Sequence, residues 1–229
     1  MPDLLRIAVD RENPPFTSLD ELTGGAAGFS VELCRACLDD TDQNREVEFA
    51  VADGPMTQSI WLTVGRVDAV LDMTASVRRS QWFDFSAAYY VDELAAFAPR
   101  DGPLWPGLQR VSAPLAVKAN SYAEEWLRRH FPRNLLLPVD DAERLLAVVT
   151  AGRAAAFVTS IATGRELVER HGPDQFRPVG PAFAPAGLTL AVAHGEQASL
   201  LRHFNRGLAE LRADGRYDAL LRAAGLAHA

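Results

Sequence analysis

Apolar residues recur along the chain in two alternating rhythms. Leu4–Val9, Val47–Val51 and Val67–Leu71 are short apolar or alternating runs of strand length. Between them Phe29–Leu38 and Met56–Val64 carry apolar residues at helical spacing. The run at Val67–Leu71 is apolar on both faces, as in a buried parallel strand. Pro14-Pro15 and Gly24-Gly25 punctuate the first part, and Gly65 stands where a helix C-terminal cap is expected. Asp72-Met73-Thr74 ends the third strand, and a helix start carrying Arg78 and Arg79 is expected after it. After Tyr90 comes an apolar run, Leu94–Ala98, and a loop holding Pro99, Pro103, Pro106 and Gly107.

A second alternation begins at Leu115. Strands are expected at Leu115–Lys118, Leu135–Leu137 and Ala154–Thr159, with helices at Tyr122–His130, Ala142–Thr150 and Ile161–Arg170. A loop with Pro173, Pro178, Pro181 and Pro185 precedes a strand at Leu188–Val192. The tail reads as two helices, Ala198–Leu211 and Tyr217–Ala224, broken at Asp214-Gly215. Alternating strands and helices predict an α/β fold with mostly parallel sheets. Two such runs predict two lobes, each a sheet flanked by helices. The joints Gly65–Ala69 and Gly152–Ala156 read as one turn used twice.

Composition narrows the function. The 229 residues carry a formal charge of −7, with 48% hydrophobic and 23% charged residues. That mix fits a globular protein rather than a disordered one. The negative balance argues against nucleic acid and against a polybasic membrane patch. No apolar run reaches membrane-spanning length. Cys34 and Cys37 form C-x-x-C on the apolar face of an expected helix, which reads as two buried thiols. Histidines 130, 171, 194, 203 and 228 show no ligand spacing, and no metal or cofactor is expected. No phosphate loop or nucleophile elbow occurs. Phe16, Trp61, Trp82, Phe83 and Trp126 are expected in cores.

Gly65–Tyr90, GRVDAVLDMTASVRRSQWFDFSAAYY, places a strand end with hydroxyls beside an arginine, good chemistry for gripping a carboxylate. This segment resembles the matching stretch of the family 3 extracellular solute-binding proteins, receptors of polar amino acid ABC transporters. LRIAVDRENPPF from Leu5, GFSVEL from Gly28, LAVKANS from Leu115 and NRGLAELRADGRYDALLRAAGL from Asn205 are similar to further family motifs, in order and covering nearly the whole chain. The resemblance implies the two-lobed type II fold of periplasmic binding proteins, with lobe 1 from residues 1–92 and 186–229 and lobe 2 from residues 93–185. Two crossing strands near Val91–Ala98 and Phe183–Leu188 would form a hinge, and the ligand would lie in the interlobe cleft.

Residue by residue, the resemblance puts Arg79 on the carboxylate-binding arginine. The alternative is a surface arginine paired with Asp84 or Glu32. Thr74 falls on a hydroxyl that bonds the same carboxylate, or caps a helix. Ser121, at the start of the Tyr122 helix, falls on the anion loop of the second lobe, where Asn120 replaces a glycine. Ser160 stands where amino acid binders carry the aspartate that pairs with an α-ammonium, and Asn13 replaces an aromatic ring. Asp72, Asp10 or Glu12 are substitutes for the missing acid, Asp72 being otherwise a strand-end acid near Arg78. Phe16 is the expected wall, with Tyr89 a weaker candidate. The implied function is capture of a small carboxylate-bearing metabolite for a membrane permease, by a monomer with no chemistry of its own. A sensor module of a signalling protein and a prephenate- or arogenate-type dehydratase are the alternatives. The chain starts directly in a strand pattern, and a periplasmic or extracellular protein whose leader is absent is expected, a cytoplasmic one being the other reading.

Overall fold

The computed structural model describes residues 3–20, 22–39, 45–102 and 105–226. Pro103 and His228 lie outside them. The chain divides into two compact units, Met1–Tyr90 with Gly187–Ala229, and Val91–Ala186. Two strands, β8 (Tyr90–Pro99) and β12 (Phe176–Ala193), carry the chain from one unit into the other.

In the first unit β1 (Asp3–Asp10) lies between β5 (Arg45–Ala52) and β6 (Ala69–Thr74), all parallel, with Asp10 opposite Ala52 and Ile7 opposite Ala69. The final stretch of β12 runs antiparallel to β6, Leu188 opposite Thr74. A short strand, β7 (Phe83–Phe85), pairs with β12. The carboxyl ends of β1, β5 and β6 therefore share one sheet edge, where open α/β sheets bind ligands. A separate small sheet is made of β2 (Glu12–Asn13), β3 (Thr17–Leu19) and β4 (Ala26–Ala27). Helices α1 (Phe29–Leu38) and α2 (Gly54–Thr63) follow the sheet strands, and α6 (Ala198–Ala213) and α7 (Arg216–Ala223) close the chain. Ala8, Leu62, Val67, Val70, Met73, Phe83 and Ala191 form one buried cluster against the sheet. Burying a large apolar side chain of this kind contributes about 1.5–3 kcal/mol.

α6 packs on α1 through Gly207. A Cβ there would stand 2.1 Å from the Cys37 carbonyl oxygen, a backbone atom that cannot swing aside. We expect Gly207→Ala to destabilise the first unit by about 1–3 kcal/mol, seen as a lower melting temperature, despite the better helix propensity of alanine. An unchanged melting temperature would show that the two helices can part without cost. Cys34 and Cys37 are buried free thiols on α1. Burial raises both, Cys37 to about 12, so they serve as small apolar side chains and not as nucleophiles.

In the second unit β9 (Leu115–Lys118) is parallel to β10 (Leu136–Val139) and to β11 (Ala156–Ser160), and β11 is antiparallel to β8 with Ser160 opposite Leu94. Helices α3 (Tyr122–His130), α4 (Glu143–Thr150) and α5 (Ile161–His171) follow the three strands β9, β10 and β11 in turn. Phe97 stacks on Phe157 with ring centroids 5.0 Å apart at the centre of one core cluster. α2 and α4 end alike. Gly65 and Gly152 both take φ +69, with Arg66 N donating to Trp61 O (2.8 Å) and Arg153 N to Val148 O (2.9 Å). That bond pattern is one glycine-dependent helix stop used in both units.

Three expectations need correcting. Pro178, Pro181 and Pro185 lie inside β12 and not in a loop. All three are exposed, where a missing N–H need not break the ladder, and positive φ at Gly180 and Ala184 interrupts the strand's regular pleat nearby. The expected helix at Arg78-Arg79 is a single 3-10 turn, Arg79–Gln81. Trp82 closes that turn with 65% of its surface exposed, so it is not a core residue.

Candidate functional site

At the carboxyl end of β6, Asp72 has φ +60, a left-handed conformation that aspartate tolerates better than most side chains. This twist turns the carboxyl into the unit. Ser30 Oγ and Tyr89 Oη both donate to Asp72 Oδ1, at 2.5 and 2.6 Å, and Asn13 Nδ2 donates weakly to Oδ2 at 3.4 Å. Asp72 N donates in turn to Tyr89 Oη (2.9 Å). The Thr17 hydroxyl is buried near this carboxyl, at the margin of hydrogen-bonding geometry, and adds to the donors that lower it. Burial raises the Asp72 carboxyl above the usual carboxylate range, and the hydroxyl and amide donors oppose that rise. Burial, and then the Asp72 charge, drive the Tyr89 hydroxyl well up. The network joins the end of β6, the first turn of α1 and the start of the strand that leaves the unit. Its donors are neutral, so Asp72 is not a strand-end acid leaning on Arg78.

Two residues on, Thr74 is buried, and Arg79 Nη1 donates to its carbonyl oxygen at 2.9 Å. Arg79 N also bonds Ser76 Oγ (3.2 Å). The guanidinium is thereby folded back over the end of β6 and not extended along the surface. The partners offered for a surface arginine are engaged elsewhere: Asp84 accepts from His194 Nδ1 and Gly195 N, and Glu32 pairs with Arg35. A guanidinium at a strand end, next to a threonine, can present parallel donors to a carboxylate.

The other first-unit candidates differ in role. Asp10, at the end of β1, is 4% exposed and accepts from Glu12 N (3.0 Å). Asn13 reaches Asp72. Phe16, expected as a wall, is 1% exposed and has its ring against Tyr90 (5.1 Å), a core position. Tyr89 is completely buried and anchors Asp72.

In the second unit the structure alters the expected anion loop. Ser121 is the N-cap of α3, its hydroxyl accepting from Glu124 N at 3.2 Å. Asn120 takes φ +59, a left-handed twist that asparagine tolerates. But Glu124 turns back, and its Oε2 accepts from Asn120 N at 2.6 Å while Oε1 is held by Arg128 at 2.6 and 2.9 Å. The tip expected to meet a ligand anion holds a carboxylate of its own. Ser160 likewise caps α5, accepting from Thr163 N (3.2 Å) and donating to Thr163 Oγ1 (3.1 Å). Asp92, on β8, places Oδ2 on Ala162 N (2.8 Å) at the same helix start. A carboxylate from a different strand thus stands at the helix start that Ser160 caps.

Sequence reasoning passed over Ser30, Glu124 and Asp92. Ser121-x-x-Glu124 is a capping-box pattern visible in the sequence. Asp92 had no local signal, because only the β8–β11 register brings it to α5. Among the described residues, no group of three or more histidine, cysteine or acidic side chains is arranged to hold a metal, and no helix is long and apolar enough to cross a membrane.

Residues 5–224 match the family described as bacterial extracellular solute-binding proteins, family 3. The chain is 22% identical over 202 residues to the ABC transporter glutamine-binding protein GlnH of Bacillus subtilis (strain 168), covering 86% of this chain and 72% of that one. The crystal structure of a histidine kinase sensor domain with similarity to periplasmic binding proteins superposes with a TM-score of 0.88 at 27% identity, covering 97% and 96% of the two chains. An ancestral arginine-binding protein bound to glutamine gives 0.87 at 24% identity over 99% of this chain and 100% of that one. With the whole ordered series of strands and helices matched, the chain belongs to the bacterial extracellular solute-binding proteins, family 3, and has their two-lobed type II fold.

Proposed function

We propose that this chain captures a small metabolite carrying one carboxylate, an amino acid or a close relative, and delivers it to the membrane permease of an ABC transporter. The observation that carries this reading is the Arg79 guanidinium, fixed over the end of β6 by its bond to the Thr74 carbonyl. Arg79 and Thr74 receive the ligand's carboxylate. Asp72 holds these elements in place, its carboxyl engaged by Ser30, Tyr89 and Asn13. In the second unit Ser121 and Ser160 cap their helices, and Asp92 offers negative charge beside Ser160 for a ligand cation. The chain works as a monomer, and membership of an extracellular solute-binding family supports a place in the periplasm or outside the cell.

A panel of amino acids, dicarboxylates and aromatic acids, read by thermal shift, tests the proposal, since a ligand of the folded state raises the melting temperature by mass action. We expect neutral or cationic amino acids to stabilise the protein, by about 2.7 kcal/mol at a hundredfold excess over the dissociation constant. No shift with any carboxylate would defeat the reading. A second reading is a ligand-sensing module of a signalling protein, favoured by the likeness to a histidine kinase sensor domain over nearly its full length. It shares the ligand site and differs in the partner. Turnover of prephenate by the purified protein would replace both readings by the dehydratase alternative.

A further inference from the structure

α2 has its polarity reversed. Gly54, Gln58 and Leu62 are its buried stripe, and Gln58 Nε2 donates to the Leu71 carbonyl oxygen (3.4 Å). Met56, Ile60 and Val64 follow the opposite stripe and are 55%, 50% and 68% exposed. No side chain along residues 54–64 is charged, whereas every other α-helix described above carries both signs. The hydroxyls of α2 are spent within the helix. Thr57 Oγ1 donates to Asp53 O (2.9 Å), Ser59 Oγ to Pro55 O (2.9 Å) and Thr63 Oγ1 to Ser59 O (2.8 Å). A surface helix facing only water shows the opposite pattern, apolar inward and charged outward. A contiguous apolar stripe turned to solvent marks an interaction surface.

We infer that this face of α2 is a contact between two copies of the chain, their α2 helices antiparallel about a two-fold axis at Ile60. The flanking charges select a second copy as the occupant. Asp53 stands seven residues before Ile60, its Oδ1 accepting from Arg11 Nε (2.6 Å), and Arg66 stands six residues after it, its guanidinium 4.1 Å from the Trp61 ring centroid. Reversing one helix against the other sets Ile60 on Ile60, Met56 on Val64 and Asp53 beside Arg66. One patch therefore complements itself at the centre and at both ends, as an isologous interface requires. A partner surface of a single sign would meet a like charge at one end. Size sets the strength. A stable interface buries about 800 Å² on each partner, more than a stripe about 12 Å long offers, so the pair is weak. The contact goes beyond the receptor reading and does not need it: the dilute chain is the monomer proposed above.

Sedimentation equilibrium of the chain without ligand, from about 10 μM to about 1 mM, tests the contact. We expect the wild type to move from monomer toward dimer mass across that range. Ile60→Glu is expected to raise the dissociation constant about tenfold or more and to leave the melting temperature unchanged, since the side chain is half exposed. Asp53→Arg brings like charges together at both ends and weakens the pair. Adding Arg66→Asp restores it, which a merely apolar contact would not show. Monomer mass throughout the wild-type series, a pair that Ile60→Glu leaves intact, or a double variant no tighter than Asp53→Arg would overturn the inference. So would a wild type that stays monomeric but binds phosphatidylcholine vesicles through Ile60, which assigns the face to lipid. If Ile60→Glu melts low, Val64→Glu is read on the same criterion.

Discussion

Arg79→Ala is expected to lower affinity for any carboxylate ligand by about a hundredfold or more while leaving the melting temperature of the unliganded protein nearly unchanged. The asymmetry follows from what the side chain does in the fold. In the first unit its guanidinium donates to the Thr74 carbonyl, a contact worth about 1 kcal/mol net. A desolvated guanidinium facing a ligand carboxylate is a different quantity. Removing it strands the ligand's charge, a loss of about 2–5 kcal/mol. Arg79→Lys separates charge from shape. Lysine keeps the charge but not the parallel donors, and we expect it to recover only part of the loss. Calorimetric titration of the tightest panel ligand against the three proteins checks this. Equal affinity in wild type and Arg79→Ala would remove Arg79 from the site.

The elements of the fold were legible where the apolar rhythm is long enough to have a period. α1, α2 and α6 declare themselves through spacing, and the twin glycine stops at 65 and 152 were visible as a repeated joint. The small sheet β2–β4 was not, because strands of two or three residues have no period, and Pro14-Pro15 reads only as a break. β12 was misread over its proline-rich half for a related reason: prolines at exposed positions interrupt the pattern without ending the strand. For the site, legibility followed distance along the chain. Asp72, Thr74 and Arg79 lie within one segment and stand out together as candidates. Ser30, Asp72 and Tyr89 converge from α1, β6 and the entry to β8, and nothing local in any of them announces the others. Ser121 was read as an anion contact because the pattern around it was compared for the loop alone. The glutamate three residues on, which accepts from Asn120 N in that loop and pairs with Arg128, was in plain view.

Asp72 separates a residue that touches ligand from one that positions the parts that do. We expect Asp72→Ala to cost about 2–4 kcal/mol of stability. It leaves the buried Tyr89 and Ser30 hydroxyls without their common acceptor, and it puts alanine at φ +60, where aspartate and asparagine are tolerated better. Asp72→Asn keeps an acceptor oxygen and tolerates the twist, so it removes little beyond the charge. The sign of the pH effect is then fixed. Burial raises the folded-state pKa of Asp72 above its unfolded value, so the fold holds this proton more tightly. The stability linked to it is fully present below the unfolded pKa and is lost as pH rises through the folded one. At neutral pH the wild type bears the cost of a buried charge and Asp72→Asn does not. The variant is therefore expected to melt at or above the wild type near pH 7, with its advantage shrinking as the pH falls into the carboxylate range. Thermal melts across that interval measure it. Retained carboxylate binding by Asp72→Asn completes the case for a positioning role. Loss of binding with stability intact would mean that the charge itself meets a cation on the ligand, and Asp72 would take over the task assigned above to Asp92.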